Sequence, residues 1–261
     1  MNTSVMPIAK SVIQPRPSDN GNRILGGEIL GGEILGKLPR AELDLLRPRL
    51  EFAPLRMHQI LHEAGDKIRF AYFVESGLIS VVNILPDGKS VEVALIGRGG
   101  FTGLPVVDGF GTSPNRFIIQ AEGTADRIEA SVLRELLPHC PHLNLELHRY
   151  GQRLTMQAMQ IAACNGLHEV EERLARWLLM SHELLGSNEL PLTQDLLGQM
   201  LGTRRSSVSL AAGTLHKAGI ITYRRGRVTV LDKVKLQHAS CECYQLIKQH
   251  LASWAAEIQQ V

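Results

Sequence analysis

The stretch "LTQDLLGQMLGTRRSSVSLAAGTLHKAGIITYRRGRVTVLD", residues 192–232, decides how the C-terminal part of the chain folds. Thr193 is a plausible N-cap for a first helix that turns Leu196, Leu197 and Met200 inward. Gly202 follows this helix and can adopt the positive φ that a tight turn between two helices requires. We therefore predict a short helix that ends in a sharp turn.

A second helix and a basic hairpin follow the turn. We predict that Thr203 caps this helix and that Gly219 ends it. Its inward face, at i, i+3, i+4 and i+7, consists of Val208, Ala211, Ala212 and Leu215. Two predicted strands, residues 220–223 and 228–231, flank the turn Arg-Arg-Gly-Arg at 224–227. Helix, turn, helix and basic hairpin in this order predict a winged helix-turn-helix.

The charge of this region indicates its partner. Residues 191–235 contain 8 Lys and Arg but 2 Asp and Glu, a net charge of +6, whereas residues 37–130 contain 11 and 12, a net charge of −1. A basic module behind a neutral one is typical of binding to double-stranded DNA, although a solvated basic face on a protein–protein module is the alternative. The second helix would enter the major groove, and the arginines of the hairpin would neutralise phosphates. The predicted DNA-contacting residues are Thr203, Arg204, Arg205, Ser206, Ser207, Ser209, Arg224, Arg225 and Arg227.

The first half of the chain has the pattern of a β-structure. A short amphipathic helix begins near Leu38 and ends at Arg47, since Pro48 disfavours helix in the residue before it. Short β-type segments separated by glycine follow, and the turn Pro86-Asp87-Gly88 predicts a hairpin between residues 81–85 and 91–96. Since no helix is evident before Ser131, a sandwich or small barrel is expected.

Between residues 144 and 186 glycine is sparse and proline is absent, which predicts a long helix with a hinge. Apolar residues recur at steps of three, four and seven. They are Leu147, Leu154, Ala158, Ile161, Leu167, Val170, Leu174 and Leu178. This stripe could pack on the β-domain of the same chain, but we favour pairing with the same helix of a second copy, because so long a helix leaves much of its stripe uncovered.

The N-terminal segment contains a partial nucleotide-binding motif. "GGEILGGEILGK", residues 26–37, reads G-x-x-x-x-G-K from Gly31. Leu38 replaces the hydroxyl residue that would bind magnesium, and the match arises from a tandem repeat of Gly-Gly-Glu-Ile-Leu. We therefore predict a flexible leader over residues 1–36 and no phosphate site.

The order of these parts resembles the cyclic-AMP receptor protein and fumarate-nitrate regulator (CRP/FNR) superfamily of bacterial transcription regulators. The stretch at 192–221 carries the helix-turn-helix pattern of that family, and "EVEERLARWLL", residues 169–179, is similar to the segment that precedes it. The resemblance implies an α+β fold with a cyclic-nucleotide-binding-like β-roll (jelly roll) at 37–143, a dimerisation helix and hinge at 144–186, a winged helix-turn-helix at 187–235 and a C-terminal helix at 236–261. It also implies a homodimer that binds a pseudo-palindromic operator and contacts RNA polymerase, with no catalytic residues.

The resemblance also locates individual roles. Arg205 lies where the family has a base-reading arginine, but Ser206 and Leu210 replace a Glu and a second Arg, so the operator sequence differs. In the expected effector pocket, Gly103 is kept, but Leu104 replaces the ribose-binding Glu and Phe117 follows Arg116 in place of a hydroxyl residue. Ala158 and Met159 occupy the purine-contacting positions. We expect no cyclic-AMP binding and favour an apolar or vestigial pocket, with a remnant site for a smaller anion near Arg116 as the alternative. The sequence does not identify an effector.

Cofactors and other functions receive little support from the sequence. The cysteines are Cys140, Cys164, Cys241 and Cys243, which excludes the N-terminal cluster that holds iron and sulfur in part of the family and fits a reducing cytoplasm. On a single helix Cys241 and Cys243 would point apart, so we predict no metal site and no cofactor. A cupin-type enzyme lacks its His-x-His ligands here. A β-roll that regulates a protein partner is the alternative function. No apolar run approaches the length of a membrane span.

Overall fold

The computed structural model describes residues 32–192, 194–224 and 226–259. Its N-terminal domain consists of two four-stranded antiparallel sheets, which confirms the predicted α+β class with a β-roll. The sheets have the strand orders β1-β8-β3-β6 and β2-β7-β4-β5. The strands are β1 (Glu51–Leu55), β2 (Ile60–His62), β3 (Phe70–Val74), β4 (Leu78–Ile84), β5 (Ser90–Ile96), β6 (Phe101–Thr102), β7 (Arg116–Ala121) and β8 (Gly123–Glu129). The predicted hairpin is formed by β4 and β5.

Four short helices complete the β-roll: α1 (Gly32–Leu35), α2 (Arg40–Leu46), α3 (Leu104–Val107) and α4 (Ala130–Leu136). The prediction of a flexible leader to residue 36 is wrong at its end, because Ile34 and Leu35 are buried in the core between the β1-β8-β3-β6 sheet and the helices. The second copy of the tandem repeat therefore supplies core residues. Helix α3 also corrects the expectation of an uninterrupted β-region before Ser131.

The long helical segment consists of two helices, α5 (Pro141–Leu167) and α6 (Val170–Leu185). Helix α5 begins at Pro141, earlier than predicted, since proline is well tolerated in the first turn. The hinge lies at His168 and Glu169, where a capping box starts α6: the carboxylate of Glu169 accepts from the backbone of Glu172, and that of Glu172 accepts from the N–H of Glu169. The long helix predicted for residues 144–186 is thus divided into α5 and α6 by the side chains of Glu169 and Glu172.

Of the eight apolar residues predicted for pairing with a second copy, four are buried within the subunit, three are half-buried and Leu167 is 80% exposed. Leu147, Ile161, Leu174 and Leu178 are all buried, so the alternative interpretation, packing within the same chain, is the correct one for them. A different face of α5 is exposed at alternating steps of three and four. We call it the exposed stripe, and it consists of Leu145, His148, Gln152, Thr155, Met159, Ala162 and Gly166.

The C-terminal domain has the predicted helix-turn-helix and wing. Its elements are α7 (Gln194–Met200), α8 (Arg205–Lys217), β10 (Ile221–Arg224) and β11 (Arg227–Val230). An additional strand, β9 (Glu189–Pro191), pairs with β11. The predicted single helix at 236–261 is wrong, because α9 (Lys233–Ala239) and α10 (Cys243–Gln259) are separated by three residues. Helix α10 packs on α5 and α6. Thr193, the predicted cap of α7, lies outside the described residues.

One apolar core joins the two domains. Leu78, Val82 and Leu95 from the β-roll belong to the same buried cluster as Leu197 and Met200 of α7. The helix-turn-helix therefore lies against the sheet that contains β4, β5 and β7. None of the helices in the described ranges combines the length and the hydropathy that a bilayer crossing needs.

Candidate nucleic-acid interface

Helix α8 presents a polar, basic first turn on one side and an apolar face on the other. Arg204, Arg205 and Ser206 are exposed to solvent. The opposite face is buried, as predicted, and consists of Val208, Ala211, Ala212 and Leu215. Because this apolar face holds the helix against the domain core, the first turn is kept on the surface. A rigidly held basic helix end is the element that enters the major groove in helix-turn-helix proteins.

The start of α8 differs from the prediction. Arg204 is the N-cap residue, in an extended conformation, and no side chain hydrogen-bonds to the helix end there. Thr203 is half-buried, and its backbone N–H donates to the carbonyl of Gly198 at 2.9 Å, inside the turn. The capping role given to Thr203 is therefore wrong. The dipole of α8 makes its N-terminus attractive to a phosphate, which can bind where a side-chain cap would otherwise lie.

The remaining predicted residues of α8 flank the exposed turn. Ser207 and Ser209 are half-buried on the two sides of the helix, whereas Leu210 is 76% exposed. A side chain as apolar as Leu210 at the surface of a basic helix fits contact with a thymine methyl group. Lys217 lies at the far end of the same helix.

The wing places two arginines at the tip of an antiparallel hairpin. Arg224 and Arg227 are paired across β10 and β11, and both are exposed. The Nη1 atom of Arg227 lies 3.3 Å from Oε2 of Glu189 on β9, an exposed ion pair that contributes little to stability. Phosphate can therefore compete for this arginine. Arg225, the third predicted contact of the wing, lies outside the described residues.

Contacts with the β-roll hold the helix-turn-helix turn in place. Gly202 has a φ of 59°, and a Cβ atom at this position would lie 3.1 Å from Cγ2 of Val91 on β5. The side-chain amide of Gln120 on β7 donates to the sulfur of Met200 at 3.5 Å. The guanidinium of Arg173 on α6 donates to the carbonyl of Leu201. The turn that precedes α8 thus contacts both the sheet that contains β5 and β7 and helix α6.

The residues predicted for an effector pocket are dispersed. The Nε atom of Arg116 donates to both carboxylate oxygens of Glu63, at 2.9 and 3.1 Å, and this contact, with burial opposing it, holds the pKa of Glu63 below its usual value. Phe117 is buried edge-on against His62, and Leu104 packs into the core beside α4 and α5. Gly103 has a φ of 99° and lies against Ala71.

The two predicted purine-contacting residues differ in how far they are exposed to solvent. Ala158 is half-buried, whereas Met159 is 69% exposed and belongs to the exposed stripe. A cleft of about 420 Å³ lies elsewhere, between the β5–β6 loop, α5 and the end of α10. Arg98, Arg153 and Leu251 contribute to its walls, and none of the six predicted pocket residues does. The sequence had no signal for this cleft because α10 forms one wall only after packing on α5.

Comparison with known proteins assigns both domains. Residues 172–239 match the model of the Crp-like helix-turn-helix domain, and residues 53–139 match that of the cyclic nucleotide-binding domain. The chain belongs to the CRP/FNR family of transcription regulators.

Relatives in this CRP/FNR family match across both domains. Transcriptional regulator LdrP of Thermus thermophilus is 24% identical over 188 residues, which cover 69% of this chain and 91% of that protein. The fumarate and nitrate reduction regulatory protein of Vibrio cholerae is 25% identical over 209 residues, which cover 76% and 82%. The structure of FixK2 from Bradyrhizobium japonicum has the same fold, with a TM-score of 0.62 and 16% identity over 74% of this chain and 98% of that one. Helix α10 lies beyond both family-model matches.

Proposed function

We propose that this CRP/FNR-family chain is a homodimeric regulator that reads a pseudo-palindromic operator by inserting α8 into the major groove. The observation that carries this proposal is the exposed first turn of α8, Arg204 to Ser206, fixed by a buried apolar face on the other side of the helix. Arg205 can grip a guanine with two hydrogen bonds, and serine can bond to a base edge or a phosphate. The wing would add phosphate contacts beside the groove.

The exposed stripe of α5 supports the dimer. Its positions alternate by three and four, which is the spacing of a helix that packs along a parallel partner. Ala162 and Gly166 are small, so two backbones can approach each other closely there. The partner we propose for this stripe is a second copy of the same chain. Two α8 helices would then lie in successive major grooves, with half-sites about 34 Å apart.

We propose further that the protein acts in the cytoplasm, where it would meet DNA and RNA polymerase. We also propose that it does not bind cyclic AMP. Arg116 is paired with Glu63. Leu104 and Phe117 place apolar side chains where a bound nucleotide would require hydrogen-bonding partners. Each ribose or base group left without a partner on burial would cost about 1–3 kcal/mol. The operator and the genes beside it would indicate the effector and whether transcription rises or falls.

Binding to operator duplexes tests this function. Sites mapped on the genome by chromatin precipitation would supply the duplex, and fluorescence anisotropy would measure affinity. Arg205→Ala should cost roughly 1–3 kcal/mol on the operator and relax discrimination at one base pair, because it removes a base-reading side chain. Arg225→Ala should weaken binding about equally on operator and random duplexes, since a phosphate contact carries no sequence information.

Lys217→Ala is the matched control, because it removes one positive charge from the far end of α8. It should leave discrimination unchanged, and added cyclic AMP should leave the affinity of the unmodified protein unchanged. Equal losses from Arg205→Ala on operator and random duplexes would contradict base reading by α8. A protein that ignores all duplexes at low salt would instead favour the alternative, a β-roll that regulates a protein partner.

A further inference from the structure

Four potential metal ligands meet where the hinge between α5 and α6 touches the segment between α9 and α10. Cys164 lies in the last turn of α5 and His168 directly follows that helix, whereas Cys241 lies between α9 and α10 and Cys243 begins α10. One ligand atom from each of the four lies within 4.8 Å of every other. The expectation that Cys241 and Cys243 point apart is wrong, because α9 ends at Ala239 and Cys241 is not helical.

Two of the six ligand-to-ligand distances in this cluster are close to the edges of a tetrahedron around one ion. The sulfur atoms of Cys164 and Cys241 are 3.4 Å apart, and the sulfur of Cys243 is 3.6 Å from Nδ1 of His168. Zinc bonds of about 2.3 Å to sulfur and about 2.0 Å to nitrogen place such atoms about 3.8 and 3.6 Å apart in a tetrahedron. An iron–sulfur cluster attaches its ligands to several irons and so holds them further apart. A disulfide would require the two sulfurs at about 2.05 Å.

The surroundings of the cluster orient its ligands as in known zinc sites. The second ring nitrogen of His168, Nε2, lies 3.2 Å from a carboxylate oxygen of Glu242, which leaves Nδ1 directed at the thiols. A carboxylate on the outer nitrogen of a histidine ligand is the usual arrangement in zinc proteins. The amide of Gln160 donates to the sulfur of Cys243 at 3.1 Å.

A buried cation compensates the charge that three thiolates would bring. Arg176 on α6 is 1% exposed, and its Nε atom donates to the sulfur of Cys164 at 3.2 Å. One zinc ion with three thiolates and a neutral imidazole carries a net charge of −1, which one guanidinium balances.

The geometry points to a structural zinc site formed by Cys164, His168, Cys241 and Cys243. Soft thiolate and imidazole ligands in a closed, four-coordinate arrangement select zinc among common biological metals. The ion would clamp the hinge at His168 and Glu169 to the segment between α9 and α10. It would thereby fix the angle between the long helix and the DNA-binding domain.

Metal analysis of the full-length protein tests this site directly. Protein purified anaerobically without added metal should contain about one zinc ion per chain by mass spectrometry. The metal-free protein refilled with cobalt should show the visible bands of tetrahedral cobalt and thiolate charge-transfer absorption. Cys243→Ser should lose the metal, whereas His168→Cys should keep it and shift the cobalt bands, because four thiolates replace three. Cys140→Ala is the matched control, since this buried cysteine lies in a different core and should not change metal content.

The cobalt spectrum of the unmodified protein does not depend on any variant folding correctly. Failure of that protein to hold zinc or take up cobalt would overturn the assignment. Iron with acid-labile sulfide, a Cys164–Cys241 disulfide in anaerobic protein, or undiminished zinc in Cys243→Ser would overturn it as well. Because the readout is metal content, the result is independent of whether the protein binds the proposed operator.

Discussion

At the scale of single residues, Glu92 links the β-roll to helix α6. Its carboxyl is buried on β5, accepts from the hydroxyl of Ser80 and accepts from the indole N–H of Trp177 on α6 at 2.8 Å. Burial raises the pKa of Glu92 to about 8, although Ser80, Arg176 and Trp177 oppose the rise. The sequence shows Glu92 only as a polar residue in a strand, because its partners are 12 and 85 positions away.

The raised pKa of Glu92 predicts a pH-dependent stability. The folded state retains this proton to about pH 8, whereas the unfolded state releases it near the ordinary pKa of 4.5. The stabilisation is thus fully present below about pH 4.5 and is lost as the pH rises through about 8, at up to roughly 1.4 kcal/mol per pH unit. Glu92→Gln cannot titrate, so the variant should lack this part of the decline. Urea unfolding of both proteins at pH 6 and pH 8.5 measures the difference, and parallel curves would contradict it.

At the scale of elements, the geometry of the helix-turn-helix was largely predictable. The spacing of Val208, Ala211 and Leu215 specifies which face of α8 is buried, and Gly202 and Gly219 mark its turns, both with positive φ. The capping of helices was less predictable. Thr203 has the residue type of a cap but bonds inside the turn, and Glu169 caps α6 although glutamate is not among the preferred capping residues. The local sequence pattern identifies which face of a helix is buried, but the residues at which the helix begins and ends depend on contacts with neighbouring elements.

Two glycines of this domain should respond in opposite directions to alanine. Gly202→Ala should destabilise the protein by about 1–2 kcal/mol, because an L-residue is strained at a φ of 59° and its Cβ would press on Val91. Gly213→Ala, within α8 and with open space at the Cβ position, should stabilise it by about 0.5–1 kcal/mol. Urea unfolding measures both free energies. A Gly202→Ala protein as stable as the unmodified one would show that the backbone conformation of Gly202 does not require glycine.

At the scale of the whole molecule, α5 carries three different faces. One packs on the β-roll, one is covered by α10, and the exposed stripe remains at the surface. Helix α10 leaves that stripe uncovered, so a second copy can reach it. Sequence periodicity identified the apolar face, which is buried or half-buried except at Leu167, and could not identify the mixed, small-residue face that we propose for the dimer.

A charge within the exposed stripe should separate the two subunits. Ala162→Glu would place two like charges against each other near the C-terminal end of the proposed seam, where small residues let the helices approach closely. Such a contact costs several kcal/mol, so the dimer should become monomeric at micromolar concentration. Ala252→Glu makes the same change on the exposed surface of α10 and should leave the dimer intact. Light scattering after size-exclusion chromatography measures both masses. A dimeric Ala162→Glu protein would exclude this face as the interface.

The order of the parts, the strand-rich first half and the basic helix-turn-helix were determined by the sequence alone. These features depend on residues close together in the chain, such as the apolar spacing of α8 and the Pro86-Asp87-Gly88 turn. Only the tertiary structure brings Cys241 and Cys243 to Cys164 and His168, and Glu92 to Trp177. Cys164 and Cys241 are 77 positions apart in the chain, and Glu92 and Trp177 are 85 positions apart. Such contacts are made by packing between distant segments, and local periodicity carries no information about which distant segment will pack.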